Sequence, residues 1–421
     1  MKLLVVGGGG REHAIIKKLR ENPAVTEIFA LPGNGGIAGD ATCVPGDAKD
    51  ISGIVAMARE KGIDFAVVAP DDPLVLGAVD ALEAAQVPCF GPDARAAAIE
   101  GSKVFSKNLM KKYNIPTAAY EVFDDMDAAL SYLETAPVPI VVKADGLALG
   151  KGVTVAMTRA EATDAVRALM ADRVFGESGA RVVIEEYLTG PEVSVLAFMD
   201  GETVVPMVSA MDHKRAHDGD TGKNTGGMGA VAPNPFYTEA VAARCMDTIF
   251  LPTMRAMNAE GRPFRGCLFF GLMLTPKGPR VIEYNCRFGD PETQVVLPLL
   301  ETDLLTVMRA VSEGRLGSID VRFSRRAACC VVLASKGYPE KYEDGSPLTL
   351  PPTGPDEAIY VAGAKRTEAG LVSQGGRVLG VTALGDTLPE AVARAYALCG
   401  RVGFPNGYCR RDIGAKALTF S

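Results

Sequence analysis

MKLLVVGGGGREHAIIKKLR, residues 1–20, opens the chain with an apolar run, a glycine-rich turn and a stretch whose apolar residues recur at helical spacing. Outward from it the same alternation repeats as far as Asn114. Apolar runs fall at Glu27 to Leu31, Phe65 to Ala69 and Val87 to Phe90, and helical patterns at Ile51 to Glu60, Leu74 to Ala85 and Ala94 to Lys112. Strands alternating with helices predict a doubly wound parallel α/β sheet. Because the runs end in Gly7, Pro32, Pro70 and Gly91, polar loops should line the carboxyl ends of the strands, where such sheets bind ligands.

At 421 residues the chain has room for two to four domains, at about 100–200 residues each. With 48% apolar and 23% charged residues it has the composition of a globular protein. Lys plus Arg number 44 and Asp plus Glu 51, a net −7, the wrong sign for capturing nucleic acid or anionic lipid. The run Met1 to Val6 is too short and wrongly flanked for a signal peptide, and nothing later reaches the roughly 20 charge-free apolar residues of a membrane span. A cytoplasmic, stand-alone enzyme acting as a monomer is expected. Nine cysteines without a Cys-x-x-Cys pair predict buried free thiols. His213 and His217 have zinc spacing, but Lys214 and Arg215 crowd them and the Glu of His-Glu-x-x-His is missing.

Beyond Asn114 the pattern changes. Ile140 to Lys143, Val153 to Ala156 and Arg181 to Tyr187 read as strands, with a helix over Arg159 to Met170, and together suggest a small α+β lobe over about 118–190. Further strands follow at Val193 to Met199, Thr203 to Val208, Gly266 to Leu274 and Arg280 to Asn285, and a mixed α/β unit ends the chain with a helix over Leu388 to Gly400. The expected boundaries are 1–102, 103–325 and 326–421.

Gly7 to Gly10 follow a strand and open a helix, so their amides suit a phosphate. A dinucleotide fits poorly, because Glu12 and His13 stand where the third Gly of Gly-x-Gly-x-x-Gly belongs, and Pro32-Gly33-Asn34 where a ribose-binding acid would. Lys143-Ala144-Asp145-Gly146-Leu147-Ala148-Leu149-Gly150-Lys151-Gly152 joins two strands as a flap able to cover a polyphosphate. It is no P-loop, since Gly152 replaces the Ser or Thr. Glu283 and Asn285 share one face of a strand and suit Mg²⁺, with Arg287 on the same face placed to neutralise a transferring phosphoryl group. A pure nucleotide sensor would have no use for these three. The polar segment Asp212 to Gly229 is read as a binding loop.

In order along the chain, Lys103, Lys143 with its flap, Glu185-Glu186-Tyr187-Leu188 and Glu283-x-Asn285 resemble the ATP-grasp fold. Arg287-Phe288-Gly289-Asp290-Pro291-Glu292 resembles the signature of the glycinamide ribonucleotide synthetase family. The blocks Gly9 to His13, Pro32 to Asn34, Gly101 to Lys103, Asp212 to Lys214 and Asn224 to Gly229 are similar to that family as well, over the whole length. The resemblance implies an ATP-grasp central domain with a small lid lobe, between a doubly wound N-terminal sheet and a mixed C-terminal α/β domain. It implies ATP-dependent joining of glycine to 5-phosphoribosylamine through glycyl phosphate, in purine synthesis, with Mg²⁺ or Mn²⁺. ATP would then meet Lys103, Lys143, Gly146, Gly150, Lys151 and Gly152 at its phosphates, Glu185, Tyr187 and Leu188 at adenine, and Glu192 at ribose. Glu283 and Asn285 would hold the metal, and Arg287 would stabilise the transferring phosphoryl. Gly9, Gly10, Arg11, Glu12, His13, Pro32, Gly33 and Asn34 are expected at the phosphoribosylamine, and Asp212, His213, Lys214 and Asp290 at glycine and the amine. Asp71, Asn224 and Gly226 are expected beside the substrates. Asp290 either binds the glycine ammonium or braces Arg287. Two departures stand out: Asp71 replaces the family's usual Glu, and Cys267 to Leu274 carries no carboxylate for a second metal.

Overall fold

Leu3 and Val5 point to one face of the opening strand and Leu4 and Val6 to the other, and all four are fully buried, as a strand covered on both sides requires. In the computed structural model, which describes residues 1–147, 152–172 and 179–420, this strand, Lys2–Gly7, is the middle of a five-stranded parallel sheet. Its neighbours are Glu27–Pro32 and then Thr42–Cys43 on one side, and Phe65–Val68 and then Cys89–Phe90 on the other. Two of the expected helices are each two pieces. One divides into Asp71–Val75 and Ala78–Ala84 around Gly77, which takes φ +87. The other divides into Ala94–Gly101 and Lys103–Lys112, because Ser102 adopts φ −139 and caps the second helix by accepting the Phe105 amide at 3.1 Å. That break turns Glu100 and Lys103 to the same interior.

The lid lobe is a four-stranded antiparallel sheet, Tyr120–Phe123, Val182–Glu186, Ile140–Ala144 and Val153–Ala156, backed by helices Met126–Thr135 and Arg159–Met170. Asp125 and Thr158 cap these helices through the amides of Ala128 and Glu161. Its core, including Leu133, Val142, Val166 and Ile184, is separate from the others, so the lobe is a body in its own right. A second antiparallel sheet, Val204–Pro206, Glu192–Asp200, Arg265–Thr275 and Gly278–Asn285, forms the floor beneath it. The floor shares its core with the N-terminal sheet.

The third sheet joins Ala327–Ser335, Arg377–Gly385 and Glu357–Val361 to two strands from far upstream, Met211–Asp212 and Gly229–Ala232. The polar segment between those two therefore hangs from the C-terminal sheet, across the boundary expected at 325/326. Cys329 and Cys330 lie on its central strand, and all nine cysteines are free. No described helix is long and apolar enough to cross a membrane.

Candidate active site

One cavity of about 440 Å³ opens where the lid, the floor and the two outer sheets meet. On the lid side it is lined by Lys143, Gly152, Glu185, Tyr187 and Leu188, with Lys103 and Lys107 from the helix Lys103–Lys112. Lys103 Nζ donates to the Gly146 carbonyl at 3.2 Å. Lys107 Nζ and Lys143 Nζ both lie 3.0 Å from Glu185 Oε2, and their remaining bonds go to Thr117 Oγ1 at 2.7 Å and the Ile282 carbonyl at 3.1 Å. Glu185 Oε1, by contrast, is buried without a partner among the described residues. An unpaired buried acceptor is costly unless something donates to it, and Glu185 lines the cavity, where a ligand could supply the donor. Burial pushes Lys107 down to about 8 despite Glu185, and lowers Lys103 as well. Gly150 and Lys151 lie outside the described residues.

The floor strand Gly278–Asn285 is bulged opposite Gly271 and Leu272, which pair with Glu283 and Val281. The extra residue, Ile282, resets the alternation so that Val281 stays in the core while Glu283 and Asn285 face the cavity. Gly271 makes room: a Cβ there would sit 3.1 Å from Glu283 Cγ. Although burial opposes it, Lys214, Lys143, Lys103 and Arg287 hold the Glu283 carboxyl near 2. Lys214 Nζ lies 3.6 Å from Glu283 and 3.8 Å from Glu192. Among the described residues no three His, Cys, Asp or Glu side chains cluster to hold a metal ion. A carboxylate and an amide oxygen side by side are hard donors that suit Mg²⁺ with phosphate and water completing its shell.

Arg287 lies beyond the strand end, yet it too reaches the cavity. Its Nη2 donates to Glu100 Oε1 at 3.1 Å and Asn285 Oδ1 at 3.3 Å, and its Nη1 to the Phe288 carbonyl at 3.3 Å, while Nε is buried with no partner among the described residues. Glu100 also accepts the Cys286 amide at 2.7 Å. The loop is anchored by Phe288, whose ring centroid lies 6.0 Å from those of Phe90 and Phe198. Burying that ring contributes about 2–3 kcal/mol. The brace on Arg287 is thus Glu100, not Asp290. Asp290 accepts Gln294 Nε2 at 2.7 Å and faces Arg377 Nη2 at 3.5 Å.

Asp212, Lys214, Glu192, Asp71, Arg11, Asn224 and Gly226 also line the cavity. Burial first, then the neighbouring Glu292, pushes the Asp212 carboxyl well above its usual range, and burial raises Glu292 too.

Other expected residues are turned elsewhere. His13 and Asn34 bond Val361 of the last sheet and Gly10 lies near Ala362 beside it, while Gly9, Glu12, Pro32 and Gly33 lie at the carboxyl ends of the first two strands. Glu12 Oε2 accepts the Gly9 amide at 2.6 Å, and the Arg11 amide serves Asp290. Protein carboxylates thus already occupy the helix N-terminus expected to receive a phosphate. His13 accepts the Val361 amide at 2.8 Å and bonds Asp40 at 2.9 Å. Asn34 bonds the Gly8 and Val361 carbonyls through Nδ2 and the Gly36 and Ile37 amides through Oδ1, so its side chain is fully used within the protein.

His213 is likewise structural. Its Nε2 accepts the Gly414 amide at 3.0 Å, so Nδ1 carries the hydrogen towards the Gly229 carbonyl at 3.2 Å. Burial, then the nearby Arg410, lowers it to about 4. An unfolded chain takes up this proton near pH 6.5 while the folded one refuses it. Stability from this group is therefore full above pH 6.5 and falls by roughly 3 kcal/mol as pH drops to about 4. Thermal unfolding followed from pH 7 to 4 should show that slope, and a His213→Asn variant should lack it; equal slopes would refute the assignment.

Lys107, Glu100, Glu292 and Arg377 were not anticipated as site residues. Lys107 had a signal, since it lies one helical turn after Lys103.

Three family models match in succession: the phosphoribosylglycinamide synthetase N domain over residues 1–100, its ATP-grasp (A) domain over 101–293 and its C domain over 328–416. A phosphoribosylamine–glycine ligase from Agrobacterium fabrum is 49% identical over 419 residues, 99% of each chain. One from Vibrio cholerae is 46% identical over 423 residues, with the same coverage. The solved phosphoribosylamine–glycine ligase from Thermotoga maritima superposes with a TM-score of 0.85 at 34% identity, over 98% of this chain and all of that one. A biotin carboxylase domain from Hydrogenobacter thermophilus, at a TM-score of 0.75 and 16% identity, covering 97% of this chain and 91% of its own, shares the fold.

Proposed function

The chain belongs to the phosphoribosylglycinamide synthetase family and is an ATP-dependent ligase joining glycine to phosphoribosylamine in purine synthesis; we propose that it does so through glycyl phosphate, in the cavity described above. A glycine carboxylate is a poor electrophile at neutral pH. One of its oxygens attacks the γ-phosphorus of ATP, the bond to the β-bridging oxygen breaks, and ADP leaves. The ribosylamine nitrogen then attacks the activated carbonyl carbon, the bond to phosphate breaks, and the nitrogen loses a proton. Asp212 and Glu292 are the carboxyls at hand to take it.

The single observation that carries this reading is the bulged strand end that sets Glu283, Asn285 and Arg287 in one cavity with Lys103 and Lys143. The two lysines meet the phosphates, and the unpaired Glu185 Oε1 accepts the adenine amino group. The backbone at Tyr187 and Leu188 lies against the ring and Glu192 against the ribose. Glu283 and Asn285 would hold Mg²⁺ or Mn²⁺, which when bound would neutralise phosphate oxygens. Arg287 stabilises charge on the transferring group. Glycine lies at Asp290, Asp212 and Lys214, and phosphoribosylamine at the end lined by Arg11, Asn224 and Gly226. We further propose a cytoplasmic monomer.

The test is ADP release from MgATP with glycine and freshly generated phosphoribosylamine, each omitted in turn, and with alanine or serine replacing glycine. ADP formation requiring both substrates and glycine in particular is expected. Turnover with a different carboxylate, or none with any pair, would overturn the assignment.

A further inference from the structure

Arg377 opens the strand Arg377–Gly385 of the C-terminal sheet, where pairing with Ala327–Ser335 slips between Leu333 and Ala334. The extra residue at that slip is Val378, which is fully buried, while Arg377 stays paired with Ala334 and its side chain reaches the cavity wall. There its Nη1 donates to three carbonyls, Gly226 at 2.8 Å, Gly227 at 3.2 Å and Asp290 at 2.8 Å. Its Nη2 faces Asp290 Oδ2 at 3.5 Å. Gly226 packs closely against the guanidinium: a Cβ there would stand 2.9 Å from its central carbon. Tyr338, from the same C-terminal unit, accepts the Gly226 amide at 3.3 Å. One loop is thus clamped on both its carbonyl and its amide, and the Asp290 carboxylate is held between Arg377 and Gln294 Nε2.

We infer that Arg377 is a positioning residue for the glycine side of the site, through which the C-terminal unit fixes Asp290 and the Gly226–Gly227 loop. The inference rests on the reading that Asp290 receives the glycine ammonium. A planar fork suits the task, because only guanidinium can hold several carbonyls and a carboxylate at fixed angles. Among the described residues the hydrogen bonds and ion pairs of Arg377 are to Gly226, Gly227 and Asp290, and none reaches Lys103, Lys143 or Glu185 on the ATP side.

The test compares wild type, Arg377→Ala and Arg377→Lys by steady-state kinetics and by calorimetric binding of MgATP. In Arg377→Ala the glycine KM should rise about tenfold or more, on the scale of a reacting group misplaced by a fraction of an ångström, with the MgATP Kd unchanged. Arg377→Lys, which keeps the charge but loses the fork, should fall between the two. Millimolar guanidinium should restore part of the loss in the alanine variant, which repair of a merely weakened fold would not produce. An unchanged glycine KM, or an equal loss of MgATP affinity, overturns the inference. If wild type itself forms no glycinamide ribonucleotide from the pair, it is the functional reading that falls.

Discussion

Arg287→Ala should lower kcat by about 10²-fold or more while leaving the KM values for ATP and glycine nearly unchanged, the pattern of an interaction made chiefly in the transition state. The guanidinium is held by Glu100, Asn285 Oδ1 and the Phe288 carbonyl, so it costs little reorganisation when charge develops beside it. Its buried Nε has no partner among the described residues, leaving a donor available to the cavity. A wild-type kcat in the alanine variant would remove Arg287 from the chemistry. Steady-state rates of ADP release at saturating substrates decide it.

Glu283→Gln should have an effect of similar size for a different reason. The wild-type carboxylate is the counter-charge to Lys214, Lys143, Lys103 and Arg287, which hold its carboxyl near 2 against the burial that opposes ionisation. Glutamine keeps the shape and removes the charge, so four cations face one another with no carboxylate from this strand, and a metal held as proposed would lose its charged ligand. We expect kcat/KM to fall by about 10²-fold or more, with the Mg²⁺ dependence moved to higher concentration and the loss partly offset at high Mg²⁺. Unchanged activity and an unchanged Mg²⁺ titration would show that the metal is held elsewhere.

The parts of the site readable in advance were those governed by local periodicity. Glu283 and Asn285 share a face because strand side chains repeat every two residues. The bulge at Ile282 alters the face of the preceding residues without disturbing that pair. The parallel N-terminal sheet was equally legible, since alternating strands and helices admit few other arrangements. What escaped was set by partners distant in sequence. Glu100 was hidden in what read as one continuous helix, and the break at Ser102 is stabilised by Asp145, which accepts the Ser102 hydroxyl at 2.8 Å. His13 and His213 looked functional because they sit in glycine-rich loops. Their ring nitrogens are taken by amides of Val361 and Gly414, far along the chain. Arg377 had no local signal: its partners are carbonyls of two other loops.

On the proposed glycyl phosphate route, the glycine carboxylate is phosphorylated before the amine attacks. That order is tested most directly by supplying glycine labelled with ¹⁸O in both carboxylate oxygens, together with phosphoribosylamine and MgATP, and weighing the products. One ¹⁸O is expected in the released phosphate and the other in the amide carbonyl of the product, because the oxygen that attacks phosphorus leaves with it. Phosphate free of ¹⁸O, with product formed, would contradict it.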